Sequence, residues 1–361
     1  MKVAIVHDFL NRLGGAEKVL KVLCEIFPSA PIYTLLYDEK KVGEIFPKNK
    51  IKFSKLQTLP NFIKNKYKYF FPILNTFVEE WDFSEYDLVI SSSSAFTHGI
   101  ITPLKTRHIV YCHSPMRSIW DWKEPYIKEQ NKNIIINAGI RYFSSQIRQW
   151  DLLASKRADL YITNSRNVQK RIKKYYQRDS KIIYPPVCLN RFKIQKNHQN
   201  YFLIVSTLTP YKNIELAIKL FNKIGRKLII IGDGPQKNYL QKISAPNIEF
   251  LGFKSDEVVS EYMQNCRALI FPGEEDFGIT AVEAMACGKP VLGLNKGGLL
   301  ETIIPNETGE FFDANNLKSI EDGLGRLILN EKKYDAEKIA KHAEKFSKEK
   351  FINEFKTITK I

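Results

Sequence analysis

The chain repeats one unit, a short apolar run rich in β-branched residues followed by a stretch whose apolar residues recur at helical spacing. Runs that are apolar on both faces are typical of parallel strands, because crossover helices cover both sides of a parallel sheet. The runs are KVAIVHD, DLVISSS, RHIVYCH and LYITNS in the first half, and YFLIVSTL, RKLIIIGDG, IEFLGF, ALIFPG and KPVLGL in the second. The pattern predicts an α/β fold with doubly wound parallel sheets.

The length of 361 residues favours two domains, since single hydrophobic cores stop growing near roughly 250 residues. A Pro-Pro pair and a polar tail in Tyr184–Asn200 are typical of a connection between domains. We therefore predict an N-terminal domain over 1–186, a linker over 187–199 and a C-terminal domain over 200–344.

The last segment, from about Asp335 to Ile361, places apolar residues at roughly helical spacing among many lysines. These residues are Ile339, Ala343, Phe346, Phe351 and Phe355. The spacing predicts one or two amphipathic helices, and a helix over about 345–361 could pack back on the N-terminal domain.

Composition limits the setting in which the protein works. Five scattered cysteines without a C-x-x-C pair argue against a disulfide framework or a zinc site and favour a reducing compartment. The N-terminal apolar run is too short for a signal peptide, and no stretch reaches the roughly 20 apolar residues that span a bilayer. We expect a cytoplasmic protein that could sit peripherally on the inner face of the cell membrane.

The formal charge of +16 favours anionic partners such as nucleotide phosphates, anionic lipids or nucleic acid. Lys55–Leu74 interleaves lysines with Phe62, Tyr67, Tyr69, Phe70 and Phe71, which suits an anionic membrane interface. An ordinary packed helix with solvated lysines explains that segment nearly as well. No motif of a nucleic-acid-binding domain is present, so nucleic acid is not expected as a partner.

The segment Phe271–Gly293, FPGEEDFGITAVEAMACGKPVLG, carries the strongest chemical signal. An apolar strand enters an acidic loop and then a short helix, at the carboxyl end of a strand, where doubly wound sheets bind ligands. Glu275 and Glu283 are eight residues apart, so both could face a ligand lying over the start of the helix. Ionised carboxylates only accept hydrogen bonds and would match the hydroxyl groups of a ribose or a sugar.

This segment resembles the E-x7-E signature of the retaining nucleotide-sugar glycosyltransferases of family 4, and the resemblance runs along essentially the whole chain. It implies the GT-B fold, in which two Rossmann-like domains face a cleft. It also implies that Glu275 lies beside the donor sugar and that Glu283 binds the ribose. The backbone amides of Asp276–Ile279, that is Asp276, Phe277, Gly278 and Ile279, would bind the diphosphate at a helix N-terminus.

A second segment, Val205–Ile218, ends a strand and opens a helix around Lys212. The family has an arginine five residues before this lysine, and both contact the donor phosphates. Here Thr207 occupies the arginine position, which removes a contribution on the order of 3 kcal/mol to transition-state stabilisation. Arg166, in an N-S-x turn that the family places near the cleft, is a candidate for the missing cation.

The N-terminal half has two further matches. Gly14 and Gly15 precede a helix and match the family's GGxE loop, which faces the donor. His113 opens an H-x-P segment whose histidine contacts the donor sugar in the family, and Arg117 follows it. The H-x-P-x-R and W-D pattern is similar to that of bacterial mannosyltransferases of O-antigen and exopolysaccharide assembly.

Two more residues are assigned by the resemblance alone. Gly232, in IIGDGP, borders the nucleotide, and main-chain atoms around Phe253 recognise the base. A dinucleotide-binding fingerprint at Gly232 is disfavoured, because the third glycine is absent.

Together these features predict transfer of a hexose, mannose from GDP-mannose in the first instance, to a polyprenyl-linked or oligosaccharide acceptor in surface polysaccharide synthesis. The resemblance implies retention of anomeric configuration, with no metal and no cofactor beyond the nucleotide-sugar substrate. The alternatives are a UDP-sugar donor, a UDP-sugar 2-epimerase of the same architecture, and a degenerate protein that only binds nucleotide or membrane. The two glutamates disfavour the epimerase, whereas Thr207 is the feature that supports degeneration.

Overall fold

The computed structural model describes residues 1–60, 64, 73–121 and 134–360, with the side chains of 134–138 and 140 left out. The chain divides into two compact units. The first unit comprises Met1–Tyr184 together with the chain from Ile352 onward, and the second comprises Pro185–Phe351. Most of the basic, aromatic segment Lys55–Leu74 lies outside the described residues.

The first unit is built on a parallel sheet with the strand order β3-β2-β1-β4-β5-β6-β7 in its described part. The strands are β1 Val3–Leu10, β2 Ile32–Tyr37, β3 Ile51–Phe53, β4 Leu88–Ser93, β5 Arg107–Cys112, β6 Leu160–Thr163 and β7 Lys181–Ile182. The helices are α1 Gly15–Ile26, α2 Glu39–Val42, α3 Leu74–Glu79, α4 Ile134–Ala154 and α5 Arg166–Tyr176.

The second unit has a parallel sheet with the order β10-β9-β8-β11-β12-β13. Its strands are β8 Phe202–Val205, β9 Leu228–Ile231, β10 Ile248–Gly252, β11 Ala268–Phe271, β12 Val291–Leu294 and β13 Gly309–Phe312. The helices are α6 Ile214–Ile224, α7 Lys237–Lys242, α8 Asp256–Asn265, α9 Ile279–Ala286, α10 Leu299–Thr302, α11 Leu317–Leu329, α12 Ala336–Ala343 and α13 Lys348–Thr359, the last of which continues into the first unit.

The predicted fold class is confirmed, since both sheets are parallel and helices alternate with strands throughout. All the apolar runs named above form strands, whereas β2, β3, β7 and β13 are strands that were not predicted. The last of these, GEFF, places the polar Glu310 among apolar residues, and Glu310 is buried where it accepts hydrogen bonds from Asn330 and Tyr334. A buried polar side chain with partners breaks the apolar pattern without breaking the strand.

Each unit buries its own core. In the second unit, apolar residues of β8, β9 and β11 pack with α6 and α11, and Phe202 stacks edge-on against Phe221 with ring centroids 5.3 Å apart. In the first unit, residues of β1, β2 and β4 pack around Tyr33, Phe83 and Phe96. Within the described residues, no helix is both long and apolar enough to cross a membrane.

The C-terminal prediction of amphipathic helices is confirmed by α12 and α13, whose apolar residues Ile339, Ala343, Phe351 and Phe355 are buried. The end of α13 belongs to the first unit, where the Arg107 guanidinium donates to the carbonyl of Thr359 at 2.5 Å.

The segment predicted as a linker is fastened to the second unit by Lys289. This buried ammonium donates to the carbonyls of Gln195 and Asn197 at 2.7 and 3.1 Å. Burial lowers the pKa of Lys289, because the charged form loses its hydration. The two carbonyls replace part of that hydration.

Asp8, at the end of β1, organises the turn that follows β4. Its two carboxylate oxygens accept hydrogen bonds from the backbone amides of 94–97 at 2.6–3.0 Å, and from the hydroxyl of Thr97. Hydrogen bonds to an ionised acceptor are stronger than those between neutral groups. Asp8 is buried, so the turn cannot easily exchange it for water.

We predict that Asp8→Ala lowers the free energy of unfolding by at least about 3 kcal/mol, because several buried donors lose their acceptor at about 1–3 kcal/mol each. Urea denaturation measures the change. The control is Asp82→Ala, since Asp82 is an exposed carboxylate that accepts from the amide of Ser84, and its loss should stay below about 1 kcal/mol. Equal losses in the two variants would contradict the assigned role of Asp8.

Candidate functional site

The second unit has its candidate site where β8 and β11 lie side by side. The chain connects β8 outward to β9 on one side and β11 outward to β12 on the other, which makes this pair the switch point of the sheet. The loops after β8 and β11 therefore leave the same edge in neighbouring positions. These loops contain Lys212 and Glu275.

Lys212 and Glu275 form an ion pair between the two loops, with Nζ donating to Oε1. Both side chains are largely buried, at 16% and 21% exposed. The Nζ also lies 5.1 Å from the ring centroid of Tyr211. Screening by water is weak for such a pair, so a second anion at this place would compete with Glu275 for the ammonium group.

The helix α9 starts directly after this acidic loop. Gly278 precedes it with φ 91°, a left-handed conformation that favours glycine, and offers no side chain to cap the first amides. Unpaired amides and the helix dipole favour an anion at this end. Glu283 lies in the second turn of α9 and is buried, at 5% exposed.

Close backbone contacts at glycines hold these loops together. A side chain at Gly273 would meet Lys212, and one at Gly297 would meet the carbonyl of Glu275. The amide of Gly298 donates to that same carbonyl at 2.8 Å. Gly297 and Gly298 are not among the predicted site residues, although a Gly-Gly pair just after an apolar strand is a visible signal.

On the other side, the loop after β9 packs on the loop after β8. Gly232 has φ 139°, and a side chain there would lie 1.8 Å from the carbonyl of Ser206. The amide of Gly232 donates to the carbonyl of Gly252, and the next residue after Gly252 is the exposed Phe253. Thr207 is exposed in the loop that also contains Lys212. The structure thus gathers the predicted residues of the second unit along one sheet edge.

The first unit has a polar cluster at the corresponding edge. His113 follows β5, and its Nε2 lies 2.8 Å from the hydroxyl of Ser92. Burial lowers the pKa of His113 to about 4, so the ring is neutral at neutral pH. Asn164 fixes the backbone here by donating to the carbonyl of His113 at 2.9 Å.

The turn at Gly14 and Gly15, called the GG turn below, does not use the left-handed backbone conformations that favour glycine. Gly14 has φ −151° and Gly15 begins α1, so neither adopts the left-handed conformation. Glycine is favoured at position 14 because space is limited there. A Cβ on Gly14 would lie 3.0 Å from a carboxylate oxygen of Glu17. Glu17 is buried and faces His7, which ties the GG turn to β1.

The two remaining predicted residues of the first unit are arginines. Arg117 is half-buried in the turn after His113, and Arg166 is exposed at the first position of α5. Arg166 and Thr207 belong to different units, so the idea that one replaces the charge missing at the other stays a prediction.

Two family models match the chain, and their boundary lies shortly after the junction of the units between Tyr184 and Pro185. The model described as "Glycosyltransferase Family 4" matches residues 13–191, and the one described as "Glycosyl transferases group 1" matches residues 189–346. The chain belongs to the family 4 glycosyltransferases and has the GT-B fold.

Three relatives illustrate the range of similarity. An uncharacterized glycosyltransferase of Methanocaldococcus jannaschii is 30% identical over 55% of this chain and 58% of its own length, so the match spans just over half of that relative. Alpha-1,3/1,6-mannosyltransferase ALG2 of Dictyostelium discoideum is 23% identical over 100% of this chain and 98% of its own. A GDP-mannose-dependent alpha-mannosyltransferase of Corynebacterium glutamicum is 28% identical over 36% of this chain and 32% of its own.

Among solved structures, Anabaena HepE in complex with UDP superimposes with a TM-score of 0.71 and covers 100% of both chains at 17% identity. At this identity the likeness concerns the fold.

We predict that Gly298→Ala destabilises the protein by about 1–3 kcal/mol through overpacking, because the new methyl would lie 2.3 Å from the Cα of Phe277. Urea denaturation measures the loss. Gly325→Ala is the matched control, since nothing lies within 4 Å of its added methyl, inside α11. That change should be neutral or stabilising by up to about 1 kcal/mol. If Gly298→Ala left the free energy of unfolding unchanged, the loop of Gly298 could move away from the loop of Phe277 without cost.

Proposed function

We propose that the protein transfers mannose from GDP-mannose to a polyprenyl-linked or oligosaccharide acceptor in surface polysaccharide synthesis, with retention of anomeric configuration. The observation that carries the proposal is the pairing of Lys212 with Glu275 beside the glycine-led start of α9. A cation, an open helix N-terminus and buried carboxylates at a sheet switch point suit a nucleoside diphosphate bearing a sugar. Similarity to proteins named as mannosyltransferases supports the choice of mannose.

In this proposal the donor diphosphate lies over the amides of Asp276–Ile279 and takes Lys212 from Glu275 as its counter-ion. Glu275, released from the ion pair, then accepts from hydroxyl groups of the sugar, and Glu283 accepts from the ribose. Developing negative charge on the leaving phosphate is stabilised by the lysine and the helix dipole. Gly232 and Phe253 border the nucleotide in the same arrangement.

The chemical step proposed is front-face displacement. The bond from the anomeric carbon to the phosphate oxygen breaks, and a bond from that carbon to the acceptor oxygen forms on the same face. The proton of the acceptor hydroxyl moves to the departing phosphate oxygen. His113, being neutral, contributes a hydrogen bond to the sugar rather than a charge. Exclusion of water limits hydrolysis of the donor.

The location proposed is the cytoplasm, with peripheral contact to the inner face of the membrane where a polyprenyl-linked acceptor would be found. The charge of +16 supports attraction to anionic lipid. The competing possibility is a protein that binds nucleotide or membrane without catalysis, and the observation that favours it is Thr207 at the usual arginine position. Sugar transfer from a nucleotide-sugar separates the two.

Titration calorimetry with GDP, UDP and ADP tests the donor. We expect micromolar binding with GDP the tightest, and Glu283→Ala should weaken it about ten- to a hundredfold, because a charged hydrogen bond contributes about 1.5–3 kcal/mol. Glu261→Ala, which removes an exposed carboxylate from α8, should bind as the parent does. If UDP bound most tightly, the proposed donor would be a UDP-sugar and not GDP-mannose. If none of the three nucleotides bound, the proposed glycosyl-transfer site would be refuted.

A second prediction concerns the missing cation. Thr207→Arg should bind GDP equally well or up to about tenfold more tightly, since it adds a charge beside the phosphates. Thr207→Met supplies similar bulk without charge and serves as the control in the same titration. Weaker binding by Thr207→Arg than by Thr207→Met would mean that Thr207 does not occupy the arginine position. Release of GDP from GDP-mannose with a lipid-linked acceptor would then show whether the charge raises turnover.

A further inference from the structure

Four polar side chains in the first unit form one continuous chain of hydrogen bonds. Glu17 Oε1 lies 3.4 Å from Nε2 of His7, and Nδ1 of His7 lies 3.0 Å from the hydroxyl of Ser92. That hydroxyl lies 2.8 Å from Nε2 of His113. Glu17, His7 and Ser92 are buried, so water does not compete for these bonds.

The sheet register produces this chain. β1 pairs His7 with Ser92 of β4, and β4 pairs Ser93 with Cys112 of β5, the residue before His113. The amide of His113 donates to the carbonyl of Ser93 at 2.8 Å, which extends the ladder by one residue. Neighbouring strands therefore place the side chains of His7, Ser92 and His113 in a row.

The number of protons along the row fixes their direction. A carboxylate only accepts, so the single N–H of a neutral His7 lies on Nε2 and points at Glu17. Nδ1 of His7 then accepts from the Ser92 hydroxyl, whose oxygen in turn accepts from His113. The single proton of His113 is left on Nε2. The opposite order requires a second proton on His7.

The carboxylate itself is kept ionised. Burial raises the pKa of the Glu17 carboxyl, but the hydrogen bond from His7, together with a backbone hydrogen bond and the positive charge of Arg12, outweighs burial and holds the pKa below its ordinary value. An ionised carboxylate at the head of the row is what sets the direction of every bond after it. Glu17 lies three residues after Gly14, in α1, so the GG turn carries the head of this row.

We propose that Glu17, His7 and Ser92 are positioning residues that hold His113 as the Nε2–H tautomer, and so present its Nδ1 as a hydrogen-bond acceptor for a sugar hydroxyl. This inference rests on the proposed function for the contact between His113 and the donor sugar. Among the residues that the structure describes, Nδ1 of His113 makes no hydrogen bond. The site would therefore select a donor sugar that carries a hydroxyl group facing Nδ1 of His113, rather than a group that can only accept a hydrogen bond.

The test is nitrogen NMR of the protein labelled in its six histidines, at about pH 8, above the ordinary histidine pKa of about 6.5. His113→Gln assigns the His113 signals by removing them. We expect the Nε2–H tautomer of His113 in the parent protein. In Ser92→Ala the proton should move to Nδ1, since an N–H facing a methyl group has no acceptor. A parent protein with the proton on Nδ1, or a tautomer unmoved by Ser92→Ala, would overturn the proposal.

Two further variants separate positioning from stability. Ser92→Thr keeps the hydroxyl and should restore the parent tautomer. Ser91→Ala removes the neighbouring hydroxyl of β4, which contacts His108 at 2.9 Å and the carbonyl of Thr97 at 2.8 Å. That variant should lower stability while leaving the tautomer of His113 unchanged. A shifted tautomer in Ser91→Ala would show that general loosening, and not the row, controls His113.

Kinetics complete the test. Ser92→Ala should lower kcat/KM for sugar transfer about ten- to a hundredfold while leaving the Kd for GDP unchanged, because His113 faces the sugar and not the nucleotide. An unchanged kcat/KM in a variant whose tautomer has moved would remove the role in sugar recognition. Failure of GDP to bind would refute the proposed function, whereas the tautomer can be read without any ligand, so the two failures are distinguishable.

Discussion

The parallel ladder of each sheet is the constraint on which the other features depend. Because neighbouring strands run the same way, their carboxyl ends meet at one edge, and every loop leaving that edge lies beside the next. In the first unit this edge brings together the ends of β1, β4 and β5. In the second it brings together the loops after β8 and β11, which supply the ion pair. Neither cluster could form if one central strand were reversed.

The second unit adds close backbone contact to this geometry. Loops touch where glycines leave no room for a side chain, at Gly232, Gly273, Gly297 and Gly298. Such contacts fix loop positions without relying on flexible side chains. The charged groups are thereby held in place before any ligand arrives, which is the condition under which electrostatic stabilisation costs little reorganisation. The ion pair of Lys212 with Glu275 also gives each charge a partner before a substrate binds.

The first unit uses a different device at the equivalent edge. There, polar side chains point from the strands themselves, and buried carboxylates accept from neighbouring backbone or imidazole groups. Asp8 serves a backbone turn and Glu17 serves a row of side chains. The two units thus share the same parallel-sheet architecture. The second unit positions its polar groups through contacts between loops, whereas the first positions them through the register of its strands.

Local signals allowed much of this to be predicted. The spacing of Glu275 and Glu283, the lysine after β8 and the apolar strands are all visible in short windows of sequence. The row from Glu17 to His113 was invisible, because His7 and Ser92 are separated by 85 residues and only the register joins them. Short strands such as β3 and β7, with exposed or half-buried residues, lack the apolar run that would reveal them.

One consequence lies in how β1 can change over evolutionary time. His7 and Asp8 are adjacent, so the pleat sends their side chains to opposite faces of the sheet. A one-residue insertion or deletion between Val3 and His7 would exchange the two faces, and would disconnect the imidazole row and the capped turn in a single event. Homologous chains can therefore differ in length before β1 or after Leu10. Within β1 itself, substitutions are compatible with both clusters, whereas an insertion or deletion that shifts the strand register is not.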